Sequence, residues 1–201
     1  MRSLVFVLAL CLAPLASLAE TVEVRPGPGA LVRALATARP GDTLVLGEGT
    51  FAGPVSIKTP VTLTGPLARI EGPGEGSVIT VDTGGVTITA LTISGAGARL
   101  SDLDSGIRLT KAARGTIIDG VTREGNLIGV DVHGARDVTI RNSRIEGRND
   151  LRVAERGPGI YVWNAPDLLA EYNTIRYGRD GIFVNTSPKD TFRNNRFEDL
   201  R

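Results

Sequence analysis

Asp131 and His133 stand two residues apart, a spacing that turns both side chains to the same side of a β-strand. His133 is the only imidazole in the chain. An acid and an imidazole about 7 Å apart are a fragment of acid–base machinery, not a whole site. Glycoside hydrolysis needs two carboxyl groups about 5–9.5 Å apart. Lyases need a base, usually with calcium gathered by several carboxylates. The sequence has no Asp-Asp pair. Asp119, Asp137, Asp167, Asp180 and Asp190 fall at turns, where Asp is favoured for backbone reasons. No catalytic residue is assigned, and the chain reads as a non-enzyme.

Metal chemistry is equally sparse. Arg2, the apolar run Leu4 to Leu12 and the small residues Ala16-Ser17-Leu18-Ala19 follow the order of a secretory signal peptide cut after Ala19. The single Cys and single Met, Cys11 and Met1, leave with it. The mature chain then has no disulfide and no soft-metal site built wholly from its own residues. No metal ligand and no cofactor is assigned within this segment. Lys and Arg number 23 against 22 Asp and Glu, a balance that points away from nucleic acid. No run reaches the roughly 20 apolar residues of a transmembrane helix. The expected location is the periplasm.

The elements that would position Asp131 and His133 follow from a repeat. Gly106-Ile107-Arg108-Leu109, Gly129-Val130-Asp131-Val132, Gly159-Ile160-Tyr161-Val162 and Gly181-Ile182-Phe183-Val184 recur at separations of 23, 30 and 22 residues. A second series contains Val86/Ile88, Thr116-Ile117-Ile118, Val138/Ile140, Leu168-Leu169-Ala170 and Phe192. A third contains Leu91 and Ile93, Val121, Ile145, Ile175 and Phe197. Each coil of about 22 residues thus carries two or three short strands between Gly, Asn, Asp and Pro turns. The fold class is all-β: a right-handed parallel β-helix with a short N-terminal capping helix. Residues 1–19 are the signal peptide, 20–59 the cap with a helix over 30–39, and 60–201 the coils. Leu31, Ala34, Leu35 and Ala38 share one helical face, and Pro40-Gly41 ends that helix. Asn173 and Asn195 lie 22 apart, where stacked amides can bond one another. The longer step holds a loop over 148–156. The ending Phe197 to Arg201 reads as a truncated solenoid, without a polar cap.

With Ile160 and Val162 inward, Tyr161 and Trp163 point outward. Two outer columns result: Arg108, Asp131, Tyr161, Phe183, and Thr110, His133, Trp163, Asn185. Aromatic residues are only 4% of the chain, so Tyr161, Trp163 and Phe183 on one face mark a contact surface. The candidate binding residues are Tyr161, Trp163, Phe183, His133 and Asn185. A protein partner, a sugar and a cover formed by the 148–156 loop all fit that face. Arg141, Arg144, Arg148, Arg152 and Arg156 alternate with acids and read as a solvated, ion-paired surface.

The stretches Gly157 to Pro166 and Asn173 to Ser187, the insertion Gly147 to Arg156 and the ending Asn195 to Arg201 resemble the NosD family. Tyr177-Gly178-Arg179-Asp180-Gly181 is the motif that carries much of the likeness. The resemblance implies a periplasmic scaffold that helps assemble the copper–sulfur centre of nitrous oxide reductase. It implies two partners, the membrane subunit of an ABC transporter and the reductase. Any copper would be held by further coils that family members carry. The alternative is a carbohydrate-binding or polysaccharide lyase/epimerase-like β-helix.

Overall fold

The computed structural model describes residues 19–201, so the expected signal peptide lies outside the described residues except for Ala19. The chain winds through three parallel sheets, one strand of each per turn. Sheet I has eight strands, from Thr21–Val24 to Thr191–Arg193. Sheet II has seven, from Gly49–Ala52 to Arg196–Glu198. Sheet III has six, from Val55–Ile57 to Ile182–Asn185.

The strands are short because each supplies one or two inward side chains before a corner. Sheet III stacks Val55, Ile79, Ile107, Val130, Ile160 and Ile182 in one column. Beside it run Ile57, Val81, Leu109, Val132, Val162 and Val184. Sheet I contributes Leu44, Leu63, Ile88, Ile118, Ile140 and Ala170. These residues are fully buried along most of the stack. No coil could enclose its own apolar face, and stacking closes the core. Val184, in the last coil, is 40% exposed.

One column departs from expectation. The residue level with Ile93 and Ile145 in sheet II is Arg123, not Val121. Val121 sits two residues earlier, at the corner. Arg123 therefore points into the apolar interior, fully buried.

The helix spans Ala30–Thr37, two residues shorter than expected. Leu31 is buried, and Ala34, Leu35 and Ala38 pack against the core. Its contacts reach Thr21–Val24, Gly49–Ala52 and Val55–Ile57, the end strands of all three sheets. It therefore lies over the first coil. No helix among the described residues is long and apolar enough to cross a membrane.

Turn amides tie coil to coil. The Asn173 side chain donates to the Ile140 carbonyl (2.9 Å) and to Asn195 Oδ1 (3.0 Å). Its Oδ1 accepts from the Ser143 N–H (3.1 Å). Asn173→Ala leaves buried backbone groups unpaired, and is expected to cost about 2 kcal/mol in a urea unfolding series. A loss below a few tenths of that would mean that water replaces the amide.

Candidate functional site

The outer face of sheet III carries the expected columns except at Thr110, which lies beyond the strand Ser105–Leu109 and does not pair with His133. Arg108, Asp131, Tyr161 and Phe183 are level across four strands. His133, Trp163 and Asn185 are level beside them. Parallel pairing at about 4.8 Å brings rings of successive coils face to face. Tyr161 and Phe183 stack with centroids 5.3 Å apart and planes 8° apart. His133 and Trp163 stack at 6.0 Å and 12°. Trp163 remains 39% exposed and Phe183 37%.

Each ring uses one face on its neighbour, which fixes its orientation and turns its edge and tip outward.

Trp163 and Phe183 stay partly exposed beside the 148–156 insertion. The insertion closes on itself through the Arg148–Asp150 fork (2.7 and 2.6 Å) and through Arg156 to the carbonyls of Leu151 (2.9 Å) and Asn149 (3.2 Å). A short 3-10 turn, Val153–Glu155, completes it. Arg141, Arg144 and Arg152 are paired as well, with Asp119, Glu146 and Glu155.

Asp131 differs from its expected exposure. It lies on the outer side of the strand yet is fully buried. Arg108 lies across it, Nε 3.5 Å from Oδ2, with a second guanidinium nitrogen bonded to the Asp102 carbonyl (3.3 Å). His133 Nδ1 is 3.9 Å from Oδ1. Neither contact is a hydrogen bond; both Asp131 oxygens and His133 Nδ1 lack a partner. Burial pushes the Asp131 carboxyl up to about 6, against the pull of Arg108. Burial, then Arg108, hold the His133 imidazole below its usual range, so it is neutral at pH 7. Burial and the Asp131 charge raise the Tyr161 phenol. The acid and the imidazole approach more closely than strand spacing alone implies. The cluster of Arg108, Asp131, His133 and Tyr161 still contains a single carboxylate. Among the described residues, no three His, Cys, Asp or Glu are grouped to hold a metal ion.

Asn185 lies level with Trp163 at the edge of the flank and accepts from the Thr186 hydroxyl (2.6 Å). The motif Tyr177 to Gly181 makes the adjoining corner between sheets II and III. The Arg176 guanidinium lies 4.8 Å above the Tyr177 ring. A side chain on Gly178 would stand 2.6 Å from the Asp180 carbonyl, and one on Gly181 would meet the Phe197 ring. Arg179 and Arg201 both bond the Asp180 carboxylate (3.1 and 3.0 Å). These residues shape the turn that leads into Phe183.

Stacked parallel coils with a helix over the first of them define a β-helix solenoid with an exposed aromatic flank. The chain belongs to the right-handed β-helix family, whose profile, described as "Right handed beta helix region", matches residues 77–201. Within that class it is similar to the probable ABC transporter binding protein NosD of Pseudomonas aeruginosa, 33% identical over 137 residues. It is 31% identical over 137 residues to the protein of the same name from Stutzerimonas stutzeri. These matches cover 68% of the chain but 32% and 31% of the relatives, so the chain spans about a third of their length. Among solved structures, an alginate lyase from Paenibacillus sp. strain FPU-7 superposes with a TM-score of 0.68 at 22% identity, covering 88% of this chain and 75% of that one. Pectate lyase Pel9A superposes at 0.60 with 10% identity, covering 84% and 53%. At such identities the likeness concerns the fold alone.

Proposed function

We propose that this chain is a non-catalytic periplasmic scaffold that docks an ABC transporter and serves assembly of the copper–sulfur centre of nitrous oxide reductase. The observation that carries this reading is the similarity to two proteins named as ABC transporter binding proteins. The sheet III flank supplies a surface of the right kind. Trp163 and Phe183 are exposed, and their stacking on His133 and Tyr161 already restricts their rotamers. Less side-chain entropy is then lost on docking. Copper need not touch this segment, since docking requires only the flank.

The test is capture of the transporter's membrane subunit and of the reductase by the full chain. Trp163→Ala is expected to weaken capture at least about tenfold, as for an aromatic anchor at an interface centre. Unchanged binding by the variant would remove the flank from the interface. No capture of either protein by the wild type would overturn the scaffold reading. Micromolar binding of an oligouronate, lost in Trp163→Ala, would favour a carbohydrate-active solenoid instead.

A further inference from the structure

The coil that carries Arg123 is a weak rung in the stack. Arg123 stands in an interior column between Ile93 and Ile145. It is fully buried, and none of its three guanidinium nitrogens has a hydrogen-bond partner. A guanidinium carries five N–H donors, and enclosing them unbonded opposes closure of that coil.

The register weakens the same rung. Thr92–Ser94 pairs with Thr122–Glu124 over three residues, and Arg144–Glu146 pairs with Thr174–Arg176 over three. Between Thr122–Glu124 and Arg144–Glu146 the pairing covers two. The third pair would set Glu124 against Glu146, and like charges directly opposite are destabilising.

The ion pairs of sheet II also turn away from this gap. Glu124 bonds back to Arg69 (2.9 Å). Glu146 pairs within its own strand and with Arg176 of the next coil (3.8 Å). Sheet I is strapped across the same gap instead. Arg141 and Asn142 both bond the Asp119 carboxylate (2.8 Å each), and Arg114 bonds Asp137 (2.7 Å).

We propose that sheet II opens reversibly between strands Thr122–Glu124 and Arg144–Glu146, hydrating Arg123, while the straps of sheet I and the four-residue pairing of Ile128–His133 with Ile160–Trp163 in sheet III hold the two coils together. A linear stack gives way at its weakest neighbour interface. The His133 and Trp163 rings, stacked across the same gap, stay together. This inference does not depend on the identity of any partner.

Hydrogen exchange of the full chain, read by mass spectrometry without denaturant, tests it. The Arg144 amide, which donates to the Val121 carbonyl across the gap (3.0 Å), is expected to exchange at least about tenfold faster than that of Thr122, which donates to Leu91 in the preceding coil (2.8 Å), and that of Thr174, which donates to Ser143 across the next interface (2.9 Å). Arg123→Ile continues the isoleucine column and is expected to bring the amides that bond across the gap to their neighbours' rate. Arg123→Lys keeps the buried charge and should leave them fast. Even protection along sheet II in the wild type would overturn the seam, and so would an isoleucine variant that slows every segment equally. Should Arg123→Ile fold poorly, Arg123→Met makes the same comparison, and the wild-type profile decides by itself.

Discussion

Replacing Gly129 by alanine is expected to destabilise the solenoid by about 3 kcal/mol or more, in urea unfolding followed by far-UV circular dichroism. Gly106, Gly129, Gly159 and Gly181 recur at the entry to successive strands of sheet III. A Cβ on Gly129 would lie 2.5 Å from the Gly159 carbonyl oxygen and would also meet the Ile145 side chain. Gly159 repeats the arrangement one coil on: its Cβ would lie 2.9 Å from the Gly181 carbonyl and against Ile175. The obstacle is backbone, which cannot swing aside as a side chain can. One methyl group must therefore push two coils apart at a corner where their separation is fixed by parallel pairing on both sides. Gly27→Ala is the control. Nothing lies within 4 Å of its Cβ position, so little change is expected. Equal stability of the two variants would show that the corner has slack that packing does not reveal.

That glycine column explains why the later coils were legible in the sequence. Gly-Ile-x-Leu, Gly-Val-x-Val, Gly-Ile-x-Val and Gly-Ile-x-Val combine a residue required by close backbone approach with the period of two required by an inward face. The earlier coils obey the same stacking, with Val55/Ile57 and Ile79/Val81 in the sheet III columns. They lack the glycine at that place, and their corner loops differ in length, so no fixed offset reveals them. Arg123 escaped because Val121, two residues earlier, offers an apolar side chain of suitable type. Period alone cannot choose between them; only pairing with Ile93 and Ile145 does. The flank was legible as a set of outward residues. Its stacked rings follow from register. The burial of Asp131 does not, because it depends on Arg108 being held down by the Asp102 carbonyl, a contact set by loop conformation.

Asp131→Asn tests that burial through its pH dependence. In the unfolded chain the carboxyl titrates near 3.9. In the folded protein burial raises it to about 6. Between these values the native state holds a proton that the unfolded state has lost, so this group adds stability as pH falls. Its contribution is complete below about pH 4 and is lost as pH rises through 6. The displacement corresponds to about 3 kcal/mol between the two limits. Other carboxylates move the opposite way. Asp119, bonded by Asn142 and Arg141 despite its burial, and Asp150, lowered to about 2 by Arg148, resist protonation and favour higher pH. The raw stability curve mixes these effects, and the difference between wild type and variant isolates Asp131. At pH 7.5 the asparagine protein is expected to be the more stable, since it buries no charge, less whatever the ionised acid gains from Arg108. That advantage should shrink on acidification and vanish or reverse by about pH 4, a swing of about 3 kcal/mol in paired urea titrations. A difference that stays constant from pH 4 to 7.5 would mean that the Asp131 carboxyl titrates alike in both states. The Arg108 cover would then have to be open to water.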